Sequence, residues 1–308
     1  MGMLVIISRM AVIAILVGIG IFLYKKGIIA ESSTKTLSSL VVDVCNPALI
    51  LSSVLGGNIT AGRSDLIRAI IFGAIIYSIL VILGFIYPHI VKVKKDDRRF
   101  QNLMIVYTNV GFIGIPVAKA VLPGNAMLYV VVSNIFYALL FYTHGVTILS
   151  NGKEKINLKK VFSPGTIMAV ITLLVFWFEI DIPEVISGSV IYIGNATTFI
   201  SMCMLGVAIA RSDLSKSLKD IHIFIYIIFR MILFPLALAG IMLFIKADRE
   251  MILAFAMLMS LPVGNLPLIQ AEKTGEDTEM LSSYIMLTTI ATFVTTTLVI
   301  YIVSIFLG

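Results

Sequence analysis

The chain has 308 residues, of which 59% are hydrophobic and 13% are charged, and its mean hydropathy is +1.05. A soluble domain carries about 25% charged residues, so this composition excludes an ordinary water-soluble protein. The formal net charge of +6 comes from residues in short loops, which indicates membrane topology and excludes a nucleic-acid-binding surface.

Apolar runs of about 20 residues recur along the chain, and each is long enough to cross ~30 Å of hydrocarbon. The runs are continuous and do not alternate at period two, so we predict an all-α polytopic membrane protein. The first run lacks a basic leader and a small-residue cleavage site, and we interpret it as a mature helix. The ten predicted spans are Met3–Tyr24, Thr34–Leu55, Leu66–Tyr87, Phe100–Leu122, Met127–Leu149, Val161–Phe178, Val185–Ala210, Ile221–Ile245, Met251–Ala271 and Met280–Phe306.

Basic residues are distributed unevenly between the loops. The odd-numbered loops hold 16 Lys and Arg residues and the even-numbered loops hold 4. Positive loops stay on the cytoplasmic side, so we predict a multi-pass protein of the cell membrane with both termini outside the cytoplasm. Five spans in each half is an odd number, so two similar halves would insert in opposite orientations.

Two pairs of similar segments within the chain indicate a duplication. The stretch NVGFIGIPVAKA at 109–120 matches SLPVGNLPLIQA at 260–271 with a constant offset of 151 residues. The tetrapeptide RSDL occurs at 63–66 and again at 211–214, an offset of 148. We therefore predict two five-span halves, residues 1–150 and 151–308, related as an inverted repeat, which is typical of secondary transporters.

Spans 4 and 9 each combine proline, glycine and amide side chains in mid-membrane. Proline frees carbonyl groups, and such a break survives only where it is packed in protein or lines a wet cavity. A lone proline such as Pro235 in span 8 is interpreted as a simple kink. Two crossing breaks would present half-helix N-termini to an anion. The candidate binding residues at the breaks are Asn109, Gly114, Pro116, Asn265, Pro267 and Gln270.

For other polar residues in the spans, the sequence leaves two interpretations of the side chain's role open. Asp43 and Asn46 share a predicted face of span 2, where the carboxylate serves either transport or a structural hydrogen bond. Lys119 either pairs with substrate or snorkels to the outer interface. Asn134 in span 5 and Tyr284 in span 10 occupy related positions from which either side chain could reach the crossing.

The chain carries none of the sequence patterns expected of an enzyme. Cys45 and Cys203 both lie in apolar segments and suit neither a metal site nor a disulfide framework. A Ser–His pair, paired aspartates of a protease, an HExxH motif or an Asp-rich prenyl transferase motif would indicate catalysis, and none occurs. We predict no catalytic residue, no metal and no cofactor. A receptor is disfavoured because no soluble signalling domain is present.

The stretches NVGFIGIP at 109–116 and LPVGNLP at 261–267 resemble the crossover motifs of the auxin efflux carrier family. The resemblance extends to NPALILSSVLGG at 46–57 and MLGVAIA at 204–210. It implies a fold similar to sodium/proton antiporters and bile-acid symporters. Spans 1, 2, 6 and 7 would form a scaffold, and spans 3–5 and 8–10 a moving transport domain.

The function that this resemblance and the broken spans favour is elevator-type secondary transport of small organic anions. The substrates would be auxin-like or malonate- or malate-like carboxylates. The alternative is a sodium-coupled symporter of a bile-acid-like solute, which requires clustered oxygen ligands beside the crossing. The expected partners are the anion and the lipid bilayer, and a homodimer through the scaffold spans is compatible with this arrangement.

Overall fold

The computed structural model describes residues 3–55, 61–150, 152, 158–211, 218, 220–273 and 275–308. Within these residues the secondary structure is helical, apart from one isolated bridge between Thr108 and Val263. The second RSDL lies outside the described residues beyond Arg211.

The helices of the first half are α1 (Met3–Lys25), α2 (Glu31–Leu40), α3 (Asn46–Ser52), α4 (Arg63–Ile90), α5 (Arg98–Val106), α6 (Ile115–Val121), α7 (Ala126–Leu140) and α8 (Val146–Leu149). Those of the second half are α9 (Pro164–Phe178), α10 (Glu184–Arg211), α11 (Ile221–Tyr226), α12 (Phe234–Phe244), α13 (Arg249–Met259), α14 (Asn265–Lys273) and α15 (Glu279–Phe306).

Six helical segments in the described part of the chain are long and apolar enough to cross a membrane. They are Leu4–Lys25, Arg63–Ile90, Ala126–Leu149, Glu184–Arg211, Ile221–Phe244 and Glu279–Phe306. The remaining predicted spans are shorter or interrupted, such as the 15-residue α9 and the broken segments around Asn109 and Asn265. The all-helical membrane class is therefore confirmed, while the arrangement of ten spans in two halves stays a prediction.

Widened helical turns occur just before three prolines. The π-helical turns at Val41–Cys45, Val110–Gly114 and Ile227–Leu233 precede Pro47, Pro116 and Pro235. Proline has no N–H to bond the carbonyl four residues earlier, so the chain widens to satisfy that carbonyl elsewhere. These turns change which residues share a helical face.

The long helices combine buried and outward-facing apolar side chains. Leu4 of α1, Ile71 of α4, Val185 of α10 and Phe306 of α15 are exposed. Large exposed apolar surface on helices of this length suits contact with lipid tails. The buried apolar side chains form one continuous core, which contains most of α5, α7 and α13.

Candidate functional site

The two broken segments cross each other as short antiparallel strands. The N–H of Asn109 donates to the Pro262 carbonyl oxygen at 2.8 Å, and the N–H of Gly264 donates to the Tyr107 carbonyl oxygen at 2.8 Å. The bridge between Thr108 and Val263 lies between these two bonds. Each break therefore satisfies main-chain groups of the other, as an apolar surrounding requires.

Glycine is needed where the backbones touch. A Cβ atom on Gly264 would lie 3.0 Å from the Tyr107 carbonyl oxygen and 3.1 Å from that of Thr108. A Cβ atom on Gly114 would lie 2.6 Å from a methyl carbon of Leu261. Gly264 thus allows the close approach of the two backbones, and Gly114 leaves room for the Leu261 side chain.

Arg230 holds the carbonyl ends of both half-helices that lead into the crossing. Its guanidinium is fully buried and donates from Nε to the Ile105 carbonyl oxygen at 2.8 Å and from Nη1 to the Met259 carbonyl oxygen. Nearby, the Tyr226 hydroxyl donates to the Met104 carbonyl oxygen at 2.7 Å. A cation between two helix C-termini is favourable because each terminus carries about half a negative charge.

Threonines of α15 support the second break. The Thr288 hydroxyl accepts from the N–H of Val263 at 3.2 Å and donates to the Tyr284 carbonyl oxygen at 2.6 Å. One turn and two turns further on, Thr292 and Thr296 bond each other at 3.0 Å, and Thr296 bonds Ser260. These bonds satisfy polar groups that the interrupted helix leaves unpaired.

A cavity of about 350 Å³ lies beside the crossing. Four asparagines line it, and they come from α3, from both breaks and from α7: Asn46, Asn109, Asn134 and Asn265. The other lining side chains are apolar, aromatic or hydroxyl-bearing, including Tyr137, Tyr142, Ser163 and Thr166. Among the described residues that line it, none is charged.

The asparagines also organise the start of the half-helix that follows the first break. The Asn109 side-chain oxygen accepts from the N–H of Phe112 at 3.2 Å, so it caps the turn that begins there. The Asn46 side-chain nitrogen donates to the Gly111 carbonyl oxygen at 2.8 Å and ties α3 to the same turn. The side-chain oxygen of Asn46 is buried without a hydrogen-bond partner among the described residues. It is thus an acceptor with spare capacity at the cavity wall.

The predicted site residues divide into three groups. Asn46, Asn109, Asn134 and Asn265 meet at the cavity. Gly114, Pro116 and Pro267 are buried parts of the broken segments and shape the backbone. The predicted residues that do not line the cavity are Asp43, Lys119, Gln270 and Tyr284.

Each of these four residues has a local reason for its position. Asp43 is exposed because the π-helical turn at Val41–Cys45 rotates it away from the buried Asn46, so the predicted shared face does not form. Lys119 is exposed near the end of α6, in accord with the snorkelling interpretation. Tyr284 is buried and accepts a bond from the Gln101 side chain at 2.7 Å, beside a different cavity. Gln270 is buried in the second turn of α14 and does not line the cavity.

The sequence alone did not reveal the role of two residues near the crossing. Arg230 lies in mid-span five residues before Pro235, and an arginine at such a place is a signal of a functional or structural role that the spacing of motifs does not use. Tyr107 bonds the His144 imidazole at 2.9 Å and the Leu140 carbonyl oxygen at 2.9 Å, which fixes the first break against α7. No spacing rule would have predicted that pairing.

Comparison with known proteins identifies the family of the chain. The family model described as membrane transport protein matches residues 5–301. The chain is 24% identical over 289 residues to an uncharacterized transporter of Methanothermobacter thermautotrophicus, covering 92% of this chain and 93% of that one. It is also 24% identical over 214 residues to an uncharacterized transporter of Methanocaldococcus jannaschii, covering 66% and 68%. The chain therefore belongs to the membrane transport protein family, the family of the auxin efflux carriers, and it is a membrane transporter.

Proposed function

We propose that this transporter moves small organic anions by elevator-type alternating access, with the anion held in the cavity at the crossing. The observation that carries the proposal is the set of four asparagines around a cavity without charged side chains among its described lining residues. Amide nitrogens donate to a carboxylate without the cost of burying another full charge. Asn109, Asn134 and Asn265 would supply these donors, and Asn46, whose nitrogen bonds the Gly111 carbonyl oxygen, would line the site.

Charge balance favours an anion with a single carboxylate. The half-helices after the two breaks begin at Val110 and Asn265, and each N-terminus carries about half a positive charge. Together they offset about one negative charge. A second carboxylate in the same cavity would have no counter-charge nearby, so dicarboxylates of the malate type should bind more weakly than monocarboxylates.

The cavity also limits the size of the substrate and the polarity of the part that lies away from its carboxylate. Its volume of about 350 Å³ is near the lower end of the roughly 300–1,000 Å³ usual for small-molecule sites. Phe112, Ile115, Tyr137 and Tyr142 offer an apolar and aromatic wall to the part of the substrate away from the carboxylate. These features favour a small acid with an apolar body over a steroid-sized solute.

Arg230 supports this function over a sodium-coupled symporter. In broken-helix transporters, the carbonyl ends of half-helices commonly coordinate the coupling cation. Here the guanidinium of Arg230 already bonds the carbonyl oxygens of Ile105 and Met259 at those ends. We therefore expect transport that does not require sodium.

The moving part would consist of the predicted transport domain, spans 3–5 and 8–10, against the scaffold of spans 1, 2, 6 and 7. The cavity suits this division because Asn46, Ser163 and Met204 line it from the scaffold side, while Asn109, Asn134 and Asn265 line it from the other. A site shared between two bodies can be opened to one side of the membrane at a time when one body slides.

Binding of matched ligands tests the proposal. Purified protein is titrated with benzoate, with the neutral benzamide and with benzylamine, and binding is followed by thermal shift and calorimetry. We expect binding of benzoate alone, in the micromolar to millimolar range, which corresponds to about −8 to −4 kcal/mol. Preference for the amine, or equal binding of the amide, would reject an anion site. Counterflow of labelled benzoate in proteoliposomes then distinguishes a carrier from a receptor.

A further inference from the structure

A pocket with basic walls lies where the end of α4 meets the start of α5, and it is here called the basic pocket. Its volume is about 240 Å³. The polar and aromatic side chains that line it are Phe85, His89, Lys95, Arg98, Arg99 and Asn102. Among the described residues that line it, none is acidic. The basic pocket shares no described lining residue with the cavity at the crossing, so it is a separate site.

Two cations of the basic pocket remain available to a ligand. The Nε of Arg98 donates to the Val93 carbonyl oxygen at 3.1 Å, which anchors the guanidinium, and its two Nη groups have no partner in the described part of the chain. Lys95 is exposed and forms no ion pair with any described residue. Arg99 differs, because its Nη1 lies 3.0 Å from the Glu276 carboxylate, which offsets its charge.

A free guanidinium fork and an ammonium group in one pocket suit a phosphate. Arginine bonds two phosphate oxygens in parallel, and lysine adds a point charge. Asp96 and Asp97 follow Lys95 in the chain, but neither lines the basic pocket, and Asp97 lines the separate cavity beside Tyr284. The charge that a ligand meets in the basic pocket is therefore positive.

Asn102 gives a second, independent indication of a ligand. Its side chain is buried, and neither Nδ2 nor Oδ1 has a hydrogen-bond partner among the described residues. Buried polar groups are nearly always paired, so an amide left in this way calls for a partner that the chain itself does not supply, such as a bound ion or ligand. A phosphate oxygen in the basic pocket is a suitable acceptor for its nitrogen.

The basic pocket adjoins the outward-facing apolar surface of α4. Phe85 forms part of the pocket wall and is exposed, and so are Ile82 and Ile86 on the same helix. A ligand with its phosphate in the pocket therefore has an apolar surface beside it for hydrocarbon chains. The loop bias places this end of α4 on the cytoplasmic side, where the membrane surface carries anionic lipids. These features favour a phospholipid over a free phosphate ion.

We propose that the basic pocket binds the headgroup of an anionic phospholipid. Arg98 and Lys95 hold the phosphate, Asn102 lies beside it, and the acyl chains lie against the exposed apolar residues of α4. The lining residues belong to predicted spans 3–5 and the loop between them, so the lipid travels with the predicted transport domain. This inference goes beyond the proposed function and does not depend on the identity of the substrate.

Native mass spectrometry of the full chain in neutral detergent tests the proposal with dioleoylphosphatidylglycerol as the probe. We expect saturable binding that is tighter than that of dioleoylphosphatidylcholine. Lys95→Gln combined with Arg98→Gln should weaken it about 25-fold, since each cation near a headgroup contributes roughly fivefold. The matched control combines Lys92→Gln with Lys94→Gln. It removes the same charge from the same loop, but both lysines line the other cavity, so at about 0.15 M salt its affinity should change by less than about twofold.

Three results would overturn the proposal. Equal losses in the two double variants would show non-specific attraction to the charged surface. Equal binding of phosphatidylcholine would remove the need for an anionic lipid, and displacement of phosphatidylglycerol by millimolar inorganic phosphate would assign the pocket to a free ion. Melting temperatures near that of the parent protein establish folding. Should Arg98→Gln unfold the protein, Lys95→Gln alone, at an exposed position, carries the test with roughly a fivefold loss, and unchanged affinity in it overturns the site.

Discussion

The guanidinium of Arg230 donates from Nε to the carbonyl oxygen of Ile105 across 2.8 Å, although the two residues lie 125 positions apart in the chain. The same side chain bonds the carbonyl oxygen of Met259, so one cation joins the ends of α5 and α13. Both half-helices stop at the crossing, and their last carbonyl oxygens lack partners within their own helices. Arg230 is therefore the residue on which the geometry of the crossing most depends.

Replacement of Arg230 by methionine should destabilise the protein strongly. The variant leaves two buried carbonyl oxygens without donors, at a cost of about 1–3 kcal/mol each. Thermal unfolding in detergent, followed by the fluorescence of Trp177, measures the effect. Arg9→Met is the matched control, because Arg9 bonds a single carbonyl oxygen, that of Val121, and its residue is exposed. Equal melting temperatures for both variants would contradict this role.

Gly264→Ala should disrupt the crossing and abolish carboxylate binding. The added Cβ would lie within 3.1 Å of two main-chain oxygens, which cannot move aside without breaking the bridge. Gly240→Ala provides the control, since a Cβ there meets nothing within 4 Å and alanine favours a helix by about 1 kcal/mol. Benzoate binding retained in Gly264→Ala would show that the close approach is dispensable.

Asn134→Ala and Lys119→Gln should differ sharply in substrate binding. Asn134 lines the cavity, and loss of a hydrogen bond to a charged group costs about 1.5–3 kcal/mol, or roughly 10- to 100-fold in Kd. Lys119 is exposed and outside the cavity, so its replacement should leave Kd within about twofold. Calorimetric titration with benzoate measures both. A larger loss in Lys119→Gln would restore the alternative in which lysine pairs with the substrate.

The broken segments could be predicted from the sequence because proline and glycine act locally. Pro116 and Pro267 remove main-chain donors wherever they stand, so their matched contexts indicated two interruptions before any packing was known. The asparagines beside them were also informative, since an amide in mid-membrane needs polar neighbours. Asn109 and Asn265 accordingly line the same cavity.

Other features depend on packing and could not be predicted. The direction of Asp43 follows from a π-helical turn, which shifts every later residue around the helix and has no clear sequence signature beyond the proline. The repeat position of Tyr284 predicts that its side chain could reach the crossing, but its hydroxyl accepts a hydrogen bond from Gln101. Long-range partners such as Ile105 for Arg230 emerge only when the helices are assembled.

Membrane orientation can be tested with single cysteines at two exposed loop positions. The loop bias predicts that Lys94 lies in the cytoplasm and Lys246 outside. In intact cells, Lys246→Cys should react with an impermeant maleimide, and Lys94→Cys should react only with a permeant one. The reverse pattern would invert the orientation, although the geometry of the crossing would be unaffected.

The central claim is that the amide-lined cavity at the crossing binds a carboxylate, and calorimetric titration of Asn109→Ala and Asn265→Ala with benzoate tests it most directly. Both asparagines line the cavity, and each loss should weaken binding about 10- to 100-fold. Melting temperatures near that of the parent protein would establish that the variants are folded. Benzoate affinity unchanged in both folded variants, or tighter binding of benzylamine than of benzoate by the parent protein, would contradict the account.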